Sequence, residues 1–171
     1  MKPLSTSVNE STESNLKSSE IIRIVLPYAF VGGILIILYF LIMRFTGHYQ
    51  ITGLRSLNYL IMIPVIYFAI KAYISKAHDR SYLKGFLSGI STYLISYSLL
   101  SLFMILYLAF ADPVLMTYLY NSAYPELQLT PVGVGALLIG EGIIAGLITS
   151  FLIMQNFKDD IRKAAWCNKI F

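Results

Sequence analysis

The sequence predicts an all-α integral membrane protein, a bundle of four transmembrane helices with both termini in the cytoplasm. Three observations carry that prediction. Hydrophobic residues fill 57% of the 171 positions and charged residues only 13%, with a mean hydropathy of +0.68, whereas a soluble domain carries about 25% charge. Four apolar runs are each long enough to cross a hydrocarbon core of roughly 30 Å as a helix. The basic residues are distributed unequally between the two sides that four crossings define.

The third run organises the others. Gly85 to Ala111 (GFLSGISTYLISYSLLSLFMILYLAFA) contains no charged side chain and reaches about 40 Å at 1.5 Å per residue. A backbone in lipid must satisfy its own hydrogen bonds, so such a run is a helix, tilted or with protruding ends. At 100° per residue Gly85, Gly89, Thr92 and Ser96 fall on one stripe, a small-residue face that suits a protein neighbour.

Taken in order, Met1 to Glu20 is rich in serine and nearly free of large apolar residues. It reads as a flexible cytoplasmic tail, because it cannot bury enough surface to offset its ordering entropy. The first span, Ile24 to Met43, is bracketed by Arg23 and Arg44. Pro27 sits in its first turn, where the missing N–H matters least, and Ala29 and Gly33 form a small-xxx-small pair.

A short connector with Gly47 and Gly53 leads to the second span, about Leu57 to Ile74. Lys71 can snorkel to the interface there, and Pro64 predicts a kink. A basic loop, Ser75 to Lys84, enters the third span. Asp112-Pro113 then reads as an N-cap and first helical residue, opening a short interfacial helix to about Tyr120, with Tyr118, Tyr120 and Tyr124 at headgroup depth. Thr130-Pro131 repeats the signal and opens the fourth span, Pro131 to about Met154. The segment from 158 to 171 is a basic juxtamembrane tail, with Trp166 and Phe171 along the inner leaflet. No stretch outside the spans is long enough for a separate soluble domain, so residues 21–157 form one transmembrane domain.

Lys2, Lys17, Arg23, Lys71, Lys76, Arg80, Lys84, Lys158, Arg162, Lys163 and Lys169 share the side of both termini, against Arg44 and Arg55 on the other. Eleven against two places both ends inside by the positive-inside rule. The net charge of +4 and pI near 9.1 therefore reflect topology and anionic lipid, and no nucleic-acid partner is expected. Cys167 is the single cysteine, which excludes an internal disulfide and a cysteine metal cluster.

Glu141 is the one ionisable group deep in a span, about 15 Å along the fourth helix from Pro131 and so near the midplane. A charge there costs roughly 2.5 to 3.5 kcal/mol. The twelve Val, Leu, Ile and Phe residues of that span return about −4 to −7 kcal/mol, so the helix still inserts. Two readings stand: an ion or proton pathway, or a carboxyl hydrogen-bonded to a hydroxyl of the third span, with Ser91, Thr92, Ser96 and Ser98 as candidates. Gly142 and Gly146 form a GxxxG pair, which Gly135, Thr149 and Ile153 extend. This second small face is expected to meet the one on the third span, within a subunit or across a dimer.

No catalytic residues, metal site or cofactor are expected. His48 and His78 fall on opposite sides of the membrane, Asp159-Asp160 beside Lys158 and Arg162 reads as a solvated helix end, and no nucleophile elbow, Walker loop, HExxH or paired cysteine motif occurs.

The lead-in Arg80-Ser81-Tyr82-Leu83-Lys84-Gly85-Phe86, the small-residue helix behind it and the exit Phe110-Ala111-Asp112-Pro113 resemble the bacterial membrane family called domain of unknown function 4199, over about residues 21 to 163. That resemblance implies a four-helix protein of the bacterial inner membrane with no assigned activity and no catalytic residues to carry over. The expected function is that of a non-enzymatic structural or accessory membrane partner, with the lipid bilayer and a homo-oligomer or membrane-protein partner as its contacts. The alternative is a small transporter or proton-coupled permease using Glu141.

Overall fold

The computed structural model describes residues 4–47, 57–76, 81–119 and 130–167. Among these residues it is helical throughout, with no strand. Helix α1 spans Leu4–Phe45, α2 Leu57–Lys76, α3 Tyr82–Leu106, α4 Pro113–Tyr118 and α5 Pro131–Cys167. A π-helical turn, Tyr107–Ala111, continues α3. Four segments are long and apolar enough to cross a membrane: Ile21–Phe45, Leu57–Lys76, Tyr82–Ala111 and Pro131–Lys158.

Each segment is a few residues longer than the apolar run that announced it, because helices continue through flanking Arg and Lys. Both ends of the chain also carry more helix than composition suggested. The backbone of 4–20, expected as a flexible tail, is the start of α1, and α5 runs on to Cys167 through the basic tail. The physical reason is that nucleation is the costly step of helix formation. Polar residues adjoining an apolar helix propagate it cheaply. α2 remains one helix through Pro64.

α3 is the hub, packed most extensively against α5, then against α1 and α2. The central core joins Ile36 of α1, Met62, Ile66 and Ile70 of α2, Tyr93, Tyr97, Leu100 and Met104 of α3, and Val134, Leu138, Ile153, Met154 and Phe157 of α5. The outward face is equally apolar: Phe30, Ile42, Leu60, Phe68, Leu102, Ile144 and Leu152 are all more than half exposed or close to it. In water such a surface would aggregate; in a bilayer it is the lipid contact.

The seam between α3 and α5 is built in steps of four residues. Where a Cβ is imagined on Gly85 it meets Met154; on Gly89, Ser150; on Gly146, Tyr93; on Gly142, Tyr97; and on Gly135, Ile105 and Ser101. The two small stripes therefore share one seam within a single chain, but glycine never faces glycine. Towards the Gly85 end α3 supplies the notches and α5 the knobs, and towards the Gly135 end the roles reverse. Gly32 and Gly33 of α1 do the same for Ser96, Met62 and Leu99. Lipid provides no hydrophobic drive between helices, so this close fit and a few polar ties hold the bundle.

Candidate functional site

Among the described residues the buried polar side chains are, apart from Asp112, all hydroxyls: Ser88, Thr92, Ser96, Ser101 and Ser150. On α3 the Ser88 hydroxyl donates to the Gly85 carbonyl at 2.7 Å and Thr92 to the Ser88 carbonyl at 2.7 Å. The single Ser96 hydroxyl proton is shared between the Thr92 carbonyl at 2.9 Å and, across the helix boundary, the Ala29 carbonyl of α1 at 2.8 Å. Ser101 donates to the Gly135 carbonyl of α5 at 2.9 Å. A Cβ on Gly135 would lie 2.8 Å from the Ser101 Oγ, so the second crossing depends on glycine at the accepting position. Thr149 is half-buried beside this seam.

Glu141 closes a third tie between helices. Its Oε1 accepts from the Tyr59 hydroxyl of α2. Of the α3 hydroxyls expected as partners, Thr92 and Ser96 donate to carbonyls, Ser98 is exposed and Ser91 is half-buried.

Tyr59 lies in the first turn of α2. Tyr93 and Tyr97 of α3, facing Gly146 and Gly142 of α5, pack as a tilted ring pair with centroids 4.9 Å apart. The Tyr93 hydroxyl is buried without a hydrogen bond of good geometry among the described residues. Nothing in the spacing of Tyr59 distinguishes it in the sequence from an interfacial tyrosine.

At the same end sits an ion pair. Nε and Nη2 of Arg44, in the last turn of α1, both approach Oδ2 of Asp112 at 2.5 Å. Oδ1 of Asp112 accepts from the Leu115 backbone N–H at 2.9 Å, the N-cap of α4 that the Asp-Pro sequence announced. The Asp112 amide donates to the Tyr107 carbonyl at 3.0 Å and closes the π turn. Burial pushes the Asp112 carboxyl up, but the Leu115 N–H and the Arg44 guanidinium outweigh it and hold the group below its ordinary value. Thr130 likewise caps α5, accepting from the Gly133 N–H at 3.1 Å.

A cavity of about 130 Å³ lies at this end of the bundle, lined by Met43 and Leu115, near in sequence to Arg44 and Asp112, and by Leu138 of α5. Its walls include Tyr39 and Phe40 of α1, Asn58 of α2, Leu100 and Met104 of α3, Leu115 of α4 and Leu138 of α5. Leu138 and Leu100 stand one helical turn from Glu141 and Tyr97. Among the described residues no group of three or more His, Cys, Asp or Glu side chains could hold a metal ion. Arg55, His48, His78, Tyr120, Tyr124 and Phe171 lie outside the described residues.

This architecture defines a multi-pass helical membrane protein. Comparison with known proteins found no matching family model, no matching curated protein and no matching solved structure.

Proposed function

We propose that this chain is a non-enzymatic four-helix protein of the bacterial inner membrane, with both termini cytoplasmic, acting as a structural or accessory partner of other membrane components. One observation carries the reading: the polar groups inside the bundle join different pairs of helices. Ser96 ties α3 to α1, Ser101 ties α3 to α5, and Tyr59 with Glu141 ties α2 to α5. In lipid such bonds act as glue between spans, each worth about 0.6 kcal/mol on average. The eleven-to-two bias of Lys and Arg supports the orientation. The small faces of α3 and α5 are filled within one chain, so self-association would use the lipid-facing surface.

Glu141→Gln and Tyr59→Phe test this reading through thermal unfolding in detergent and proton flux in proteoliposomes. As partners in one tie, the two substitutions should each lower the melting temperature, and the double variant should fall no further than the worse single one. Flux should equal that of empty vesicles throughout. Proton flux that Glu141→Gln abolishes, with the melting temperature unchanged, would overturn the accessory role. The second reading, a small transporter using Glu141, is supported by the cavity one helical turn away and predicts that outcome.

A further inference from the structure

We propose that the cavity at the Arg44–Asp112 end of the bundle binds a small lipid-soluble molecule with an apolar body and one hydrogen-bond donor, of the class of a simple phenol or a short alcohol. The inference stands whichever reading of Glu141 holds.

Size sets the first bound. At about 130 Å³ the space is close to the roughly 150 Å³ of apolar cavities that admit benzene, so one ring or a chain of similar bulk fits. The walls set the second: Phe40, Leu100, Met104, Leu115 and Leu138 offer hydrocarbon and a thioether, against which an unpaired ionic group would be expensive. Arg44 is already committed to Asp112 and adds no counter-charge.

The third bound is a hydrogen-bond acceptor. Asn58 lines the space, and its amide oxygen is buried with no partner among the described residues. A buried acceptor left unsatisfied costs about 1 to 3 kcal/mol. A bound hydroxyl recovers that cost, and an ether or a plain ring of equal size does not. The cavity is also covered on one side. α4 contributes Leu115 and Tyr118 to its wall, and its N-terminus is pinned by the Asp112 cap and the Arg44 pair.

Fluorine NMR of 4-fluorophenol on the detergent-solubilised protein tests the proposal, with 4-fluoroanisole and fluorobenzene as matched probes lacking the donor. The expected result is saturable binding of the phenol, competed by unlabelled phenol, and at least fivefold weaker binding of the other two. Asn58→Leu should weaken the phenol about tenfold, the effect of losing one hydrogen bond. The same variant should raise the melting temperature of the ligand-free protein, because it removes the orphaned acceptor, and that also shows the variant folds. Leu138→Trp, which fills the space, should abolish saturable binding. Equal binding of all three probes, or non-saturable uptake indistinguishable between the wild-type chain and Asn58→Leu, would overturn the assignment and leave only partition into the micelle.

Discussion

Gly140 and Gly142 lie two residues apart on α5 and differ in one respect that alanine substitution exposes. A Cβ on Gly140 would meet nothing within 4 Å, whereas a Cβ on Gly142 would lie 2.8 Å from both Cβ and Cγ of Tyr97. Alanine in a helix interior is worth about 0.5 to 1 kcal/mol over glycine, and at Gly140 that gain is the whole effect. At Gly142 the same gain opposes an overlap with an atom fixed to the α3 backbone, which no rotamer change can relieve. The helices must separate, and overpacking of this kind costs about 1 to 3 kcal/mol. The two variants should differ by about 2 kcal/mol, with Gly140→Ala the more stable. At 2 to 4 °C per kcal/mol for a chain of this size, the gap is about 4 to 8 °C in thermal unfolding followed by circular dichroism in one detergent. Gly142→Leu should fall further. If Gly142→Ala melts with or above Gly140→Ala, the knob-in-notch account of the α3–α5 seam is wrong.

Further outcomes follow from the same geometry. Gly89→Ala places a Cβ 2.4 Å from Ser150 Oγ and should destabilise the fold, and Ser150→Gly in the same chain should restore much of the loss; no rescue would detach the two residues. Asp112→Ala loses both the α4 cap, about 1 kcal/mol, and the Arg44 pair. Asp112→Asn keeps an acceptor for the Leu115 N–H and should lose less, so equal melting temperatures would mean that the cap contributes nothing. The folded Asp112 carboxyl sits below its ordinary value, so its contribution is complete above the ordinary carboxylate range and is lost as pH falls through the lower, folded value. An acid titration of the wild-type melting temperature should therefore show a step below about pH 4 that Asp112→Asn lacks.

Hydrophobicity and charge made the membrane class and the four helices legible, because lipid leaves a long uncharged run no alternative to a helix. The Asp112-Pro113 and Thr130-Pro131 caps were legible for a similar reason: the cap bond is local, closing within three residues. Helical extent at the two ends of the chain was less so. Composition reports whether a segment can bury surface by itself and is silent on propagation from a neighbouring helix, and 4–20 is helical for the second reason.

Partner choice belonged to the tertiary structure. From a helical wheel Gly85, Gly89, Gly135, Gly142 and Gly146 can be assigned to two stripes, but the stagger that seats each against a larger side chain depends on the relative sliding of α3 and α5. Glu141 was conspicuous as the one acid deep in a span, yet Tyr59 became its partner only when α2 and α5 were packed together. Arg44 and Asp112, 68 residues apart, met for the same reason. Periodicity along one helix states which face is small, polar or greasy. Which faces touch, and at what height, is settled by packing several helices at once, and that information is shared among residues far apart in the chain.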